Sequence, residues 1–326
     1  MRSEYRVFGP VRERDQAIFK EISSSEKLFT EYSSTMLSPG KVYIYTPRED
    51  ILKFRIGASL TIEEIPQEIE KQVIMGIHPC DMHAILYLDK TFLGAFVDPH
   101  YKARRDNSFL VILNCMQVTE NCFCSSVGTG PHIKTQSGYD MALTDFGEDY
   151  LVELKSSRAF EVFDMRGREA GPDEWRLKSE KEKSLLKSFK KTIDIKGLDD
   201  LFMRNLDHHV WAETADERCL SCSNCVMVCP TCFCYDVVDE ASMDLEEVRR
   251  FRQLDACQDM RFAEVHGGNF RHSRASRLRQ FVMHKLNYSS QYGSVGTVGC
   301  GRCITWCPTR IDLTEMAKEI QRSPIR

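Results

Sequence analysis

The sequence predicts an α+β chain, with an N-terminal α/β domain followed by a mainly helical second unit. Three observations predict it. Short apolar runs bounded by Pro, Gly and His-Pro flank a helical stretch in the first half. A segment dominated by Lys, Arg, Glu and Asp, from Arg166 to Lys191, then interrupts the pattern. Beyond it, cysteine runs alternate with charged, helix-prone sequence. The expected boundaries are 1–165 for the α/β domain, 166–200 for the linker and 201–326 for the second unit.

Lys41–Tyr45 (KVYIY) and Val73–Ile77 (VIMGI) read as buried strands, bounded by Pro39-Gly40 and by His78-Pro79. Asp81–Leu93 carries Met82, Ile85, Leu86, Leu88 and Leu93 at helical spacing. Phe109–Leu113 is a further strand, and Tyr150–Phe163 resembles a hairpin. The charged stretch after Arg166 reads as a solvated helical linker. In the second unit, Asp244–Phe262 and Arg274–Tyr288 are expected to be helical, separated by the turn His266-Gly267-Gly268-Asn269.

Bulk properties narrow the function. The chain has 326 residues, 42% of them hydrophobic and 28% charged, with a net charge of −4. That balance gives no general attraction to nucleic acid or anionic membrane. The N-terminus MRSEYRVFGPVRERD lacks the apolar core of a signal peptide. The longest apolar run, Phe109–Leu113, is far too short to span a bilayer. A cytoplasmic setting is therefore expected. There, fourteen cysteines are better suited to metal than to disulfides.

The cysteine spacing names the metal chemistry. Cys219, Cys222, Cys225 and Cys229, followed by Pro230, form C-x2-C-x2-C-x3-C-P, the spacing that wraps a chain around a [4Fe–4S] cluster. Pro230 stops the helix from running on through the cluster. The run returns 78 residues later: Leu220–Thr231 aligns without a gap on Val298–Thr309, pairing Cys222 with Cys300, Cys225 with Cys303 and Cys229 with Cys307. Only Cys219 fails to repeat, because Thr297 stands opposite it. Zinc ribbons also use C-x2-C pairs, but they need two pairs and not this longer run twice.

The long insert between the runs favours an α-helical, ferredoxin-like arrangement of two clusters. Its cations Arg271, Arg274, Arg277, Arg279 and Lys285 would raise the potential of an anionic cluster, or else form an exposed docking face. The pair His208-His209 before Trp211 reads as part of a helix packed on the cluster unit. No G-x-G-x-x-G and no phosphate-binding loop occurs, so nucleotide and flavin are expected on partners.

Four segments carry a family resemblance: Gly76–Leu93 (GIHPCDMHAILYLDKTFL), Asn121–Pro131 (NCFCSSVGTGP), Arg218–Tyr235 (RCLSCSNCVMVCPTCFCY) and Gly299–Pro308 (GCGRCITWCP). Together they resemble the family that contains the iron–sulfur subunit of anaerobic sulfite reductase and the beta subunit of sulfhydrogenases. The resemblance, from about Lys41 to Leu313, implies an electron-transfer subunit without a catalytic site of its own. Such a subunit relays electrons between a flavin-containing NAD(P)H- or ferredoxin-linked partner and a sirohaem or nickel–iron catalytic subunit. Anaerobic sulfite reductase type is the first expectation. A cytosolic NAD(P)-linked sulfhydrogenase, or an adaptor of a heterodisulfide-reductase-like complex, is the alternative. A redox enzyme acting on small sulfur compounds is a different class, supported only by the first-domain thiols.

Crossed wiring, as in two-cluster ferredoxins, implies one cluster on Cys219, Cys222, Cys225 and Cys307. The other takes Cys229, Cys300, Cys303 and a residue that the family pattern places at Thr297. A threonine hydroxyl is a poor iron ligand. Cys232, Cys234 and Cys257 are the nearest spare thiols, and Cys257 is the expected substitute. Cys80, Cys115, Cys122 and Cys124 also match family positions, and four is the count for a third cluster or for a zinc. Against that, buried cysteines often serve simply as small hydrophobes. Cys80, expected at a helix N-terminus, should have its thiolate favoured there.

Overall fold

The computed structural model describes residues 4–57, 59–65, 69–163 and 167–325. Strands β1 (Arg6–Glu13), β2 (Gln16–Glu21), β3 (Arg48–Ile56), β4 (Leu60–Glu64) and β5 (Gln72–Ile77) come first. Helices α1 (Pro79–Phe92) and α2 (Pro99–Asp106) then carry the chain from β5 to β6 (Ser108–Leu113), and β7 (Met141–Asp145) and β8 (Tyr150–Leu154) follow. Six of these strands form one sheet in the order β2-β1-β5-β6-β7-β8. The inner strands β1, β5, β6 and β7 are parallel, and β2 and β8 close the edges antiparallel.

β6 reads SFLVIL and is buried along its whole length, because the sheet is covered on both faces. Met82, Ile85, Leu88 and Phe92 of α1 pack on Ile74, Ile77, Leu110 and Ile112. On the other face Ala159 of α3 (Ser157–Val162) meets Val73, Phe109 and Val111.

The remaining helices are α4 (Pro172–Lys187), α5 (Leu198–Arg204), α6 (His209–Glu217) and the single turn α7 (Asn224–Met227). Strands β9 (Tyr235–Ala241) and β10 (Glu247–Leu254) follow, then the short β11 (Glu264–Val265) and β12 (Gly268–Asn269). Helices α8 (Arg274–Leu286), α9 (Ser289–Tyr292), α10 (Arg302–Thr305) and α11 (Leu313–Arg322) complete the chain. Phe202, Trp211, Leu278, Phe281, Val282, Leu286, Leu313, Met316 and Ile320 form the core of this half. His208 caps α6 and bonds Ser323 O at 2.9 Å, so it belongs to that packing. The architecture is α+β. Among the described residues, no helix is long and apolar enough to cross a membrane.

Three expected elements differ. Lys41–Tyr45 is no strand: Gly40–Ile44 forms a π-helical turn, with Tyr45 N–H on Gly40 O at 2.8 Å. A Cβ on Gly40 would meet Ile85 at 2.6 Å, so this turn presses directly on α1. Tyr150–Phe163 is not a hairpin, because β8 pairs back on β7 and the chain then enters α3. Asp244–Phe262 contains β10 rather than helix. There β10 lies between β9 and β3 in a four-stranded antiparallel sheet, β4-β3-β10-β9, which draws strands from both halves of the chain. Its charges meet partners across the strands, Arg250 on Asp239 at 2.7 Å and Lys53 on Glu247 at 2.5 Å. Ion pairs thus replace the apolar alternation that normally betrays a strand. Asp164, Met165 and Arg166, where the expected domain end and linker start fall, lie outside the described residues.

Candidate metal centres

The sequence repeat is also a repeat of backbone. Ser221 and Gly299 have φ of 51° and 61°, and Ser223 and Gly301 have 66° and 72°. Each pair is followed by the same single helical turn, α7 or α10. The N–H of Ser221 bonds Cys219 Sγ at 3.4 Å, and the N–H of Gly299 bonds Thr297 Oγ1 at 3.2 Å. Thr297 therefore keeps the turn that Cys219 makes while giving up the thiol. At the other end, Cys229 pairs with Thr231 Oγ1 at 3.2 Å and Cys307 with Thr309 Oγ1 at 3.4 Å.

Thiols from both runs converge. Cys219, Cys222, Cys225, Cys303 and Cys307 line one cleft, walled by Leu278, Phe281, Val282, Ile311 and Leu313. Burial raises the Cys225 thiol above its usual range, with Cys219, Cys229, Cys307 and Cys222 adding to the effect. Crowded thiols ionise together only when a cation compensates them, and metal binding supplies that. This donor set fits an iron–sulfur cluster. Cys303 bridges onward: burial raises it too, followed by Cys229, Cys300 and Cys225.

The second run is docked on the N-terminal half. The N–H of Phe123 bonds Gly299 O at 2.8 Å, and Thr129 Oγ1 donates to Val298 O at 2.7 Å. A Cβ on Gly299 would meet Cys124 N at 2.5 Å, and one on Gly301 would collide with Asn121 O. Beside this seam Arg302, 2% exposed, holds Asp81, fully buried, through two bonds of 2.7 and 2.8 Å. Its Nε donates to Thr35 O at 2.7 Å.

The structure brings Cys80, Cys115, Cys122 and Cys124 together at that seam. Burial raises Cys124, with Cys115, Cys122 and Cys300 contributing further. The same holds for Cys115, whose nearest thiol influence is Cys122. Cys80 sits at the start of α1, yet its thiol lies well above the usual range rather than below it. Burial is the main cause, and Asp81 and Cys300 act in the same direction. The expected effect of the helix N-terminus is thus outweighed by desolvation. Among the described residues, no three His, Cys, Asp or Glu side chains converge on a single ion. A cube that binds one thiolate per iron spreads its ligands more widely than a single ion does.

The N–H of Cys232 bonds Cys229 O at 3.3 Å, while Cys257 is buried beside Cys234. Cys257 lowers the Cys234 thiol from its usual range. The basic cluster divides between two tasks. Arg274 donates to Cys219 O at 3.1 Å and Arg277 to Ser221 Oγ at 3.3 Å, around the first run. Lys285 reaches Thr231 Oγ1 at 2.9 Å and Gly296 O at 3.0 Å, beside Cys229. Sequence reasoning missed Lys41, which donates to Val226 O at 2.8 Å and Cys229 O at 3.1 Å. It also missed the Arg302–Asp81 pair. A lone Lys inside the run GKVYIY was the available signal, since lysine is almost never fully buried without a partner.

Paired loops of thiols on a repeated backbone define an iron–sulfur protein, and the family model described as a 4Fe-4S dicluster domain matches residues 218–311. Over 328 aligned residues the chain is 35% identical to sulfhydrogenase 2 subunit beta of Pyrococcus furiosus, covering 98% of this chain and 93% of that protein. No solved structure matches. The chain belongs to the iron–sulfur subunit family of which sulfhydrogenase subunit beta is a member.

Proposed function

We propose that this chain is the electron-relay subunit of a soluble sulfhydrogenase-type complex. It would link a flavin-containing NAD(P)H- or ferredoxin-linked subunit to a nickel–iron catalytic subunit. The observation that carries the reading is a continuous file of thiols. It runs from Cys115, Cys122 and Cys124 through Cys80 and Cys300 to Cys229 and Cys303, and on to Cys225 and the outer cleft. Cys219, Cys222, Cys225 and Cys307 would hold an outer centre. Cys229, Cys300 and Cys303 would hold a middle one, and Cys80, Cys115, Cys122 and Cys124 an inner one. For the fourth position of the middle centre, Cys232 is favoured over Cys257, because its N–H bonds Cys229 O at 3.3 Å while Cys257 lies beside Cys234.

Bound [4Fe–4S] clusters supply one-electron redox chemistry at potentials set by their surroundings. The protein's share is placement and exclusion of water. Phe281, Val282 and Leu278 wall the outer cleft, and the Arg302–Asp81 pair fixes α1 against the second run. Exposed Cys222 and Leu220, the latter keeping 62% of its surface, make the outer centre the natural exchange point.

A sulfite-reductase-type partner is the second reading, favoured by the same cysteine segments. The test is the full chain purified without oxygen. It should accept electrons from a reduced viologen, develop reduced-cluster paramagnetic signals, and turn over neither sulfite, polysulfide nor protons by itself. Turnover of any of these without partners would overturn the relay reading.

A further inference from the structure

Lys41 and Lys285 are buried cations without a carboxylate partner. Lys285 is 1% exposed and Lys41 3%, and they approach the backbone around Cys229 from opposite halves of the chain. Among the described residues, neither forms an ion pair. Their bonds go to carbonyls of Val226, Cys229 and Gly296 and to the Thr231 hydroxyl. Burying an ammonium costs several kcal/mol when no counter-charge accompanies it. Here two are buried close enough to feel each other. What surrounds them is thiol: Cys229, Cys232 and Cys234 for Lys41, and Cys229 and Cys232 for Lys285.

The other two centres differ. At the inner one, the buried Arg302 is neutralised by Asp81. At the outer one, Arg274 keeps 45% of its side chain in solvent, where water weakens its field. The outer one also has the buried Arg277, bonded to Arg271 O, His272 O and Ser221 Oγ, so among the described residues the middle set is distinguished by two such cations on the backbone of one ligand loop.

We propose that Lys41 and Lys285 are the counter-charges of the middle centre, holding an anionic cluster at Cys229, Cys300 and Cys303 and raising its reduction potential. The inference rests on the relay reading above and adds a mechanism to it. A reduced cluster carries one more negative charge than an oxidised one, so a fixed buried cation stabilises the reduced form more. Because Lys41 comes from the first half of the chain, the potential depends on how that half is seated.

The experiment uses the full chain with iron and labile sulfide first counted in the wild type, which tests the relay reading separately. Lys285→Gln and Lys41→Gln keep hydrogen-bonding capacity and remove charge, while Lys285→Arg and Lys41→Arg keep the charge. Redox titration followed by electron paramagnetic resonance should show one centre shifted to more negative potential in each Gln variant and unshifted in each Arg variant. Loss of that centre's iron in the Gln variants, with retention in the Arg variants, supports the proposal equally. An unchanged potential in the Gln variants overturns it. Equal loss of iron in the Gln and Arg variants also overturns it, since packing and not charge would then be at work.

Discussion

The two halves of the cysteine repeat share a backbone but face different surroundings. Leu220 and Cys222 of the first half are exposed, whereas Val298, opposite Leu220, is 5% exposed. Where the first half has Ser221, Ser223 and Asn224, the second has Gly299, Gly301 and Arg302. Each replacement suits a surface pressed on the first half of the chain: the glycines remove Cβ atoms at the loop Asn121–Cys124, and the arginine finds Asp81 on α1. The substitutions inside a repeat therefore record which copy meets solvent and which meets protein. The spacing of the cysteines, common to both, records the chemistry.

The largest effect should come from the pair that has no counterpart in the first half. Asp81→Asn leaves Arg302 buried without its carboxylate and should cost about 3–5 kcal/mol. Asn224→Ala, at the matching position of the first half, should cost less than about 1 kcal/mol. Denaturant unfolding of the loaded chain compares them, and equal losses would remove the asymmetry between the halves.

Next come the glycines. Gly301→Ala drives a Cβ into Asn121 O at a φ of 72° and should cost about 3 kcal/mol or more. Ser223→Ala, at the same backbone conformation without that neighbour, should cost about 0.5 kcal/mol. Thermal unfolding reads both.

A smaller change tests where the halves differ in ligands. Cys232→Ser should convert the middle centre to a three-iron form, seen as a new paramagnetic signal in the oxidised protein. Adding Thr297→Cys should remove that signal by restoring the repeat, and Cys257→Ser should produce none. The signal arising from Cys257→Ser and not from Cys232→Ser would reassign the fourth position.

The cysteine runs, their repeat and the break at Thr297 were legible because metal spacing is local in sequence. Strands β5 and β6 were legible as short apolar runs bounded by turn residues, and helix α1 by the period of its buried face. Strand β10 was not, since RRFRQL satisfies its charges with Asp239, Glu49 and Asp98 on distant segments. Lys41 was missed for a related reason: its partners lie at Val226 and Cys229, beyond the reach of any local pattern. Pairings between the halves of the chain decide both, and no periodicity encodes them.

The most direct test of the relay is the metal content of the anaerobically purified full chain, compared with Cys122→Ala and Cys124→Ala. Three four-iron centres predict about twelve irons with matching labile sulfide in the wild type, falling to about eight in the variants. An iron content unchanged by those variants would contradict the inner centre, and zinc without sulfide would contradict the relay itself.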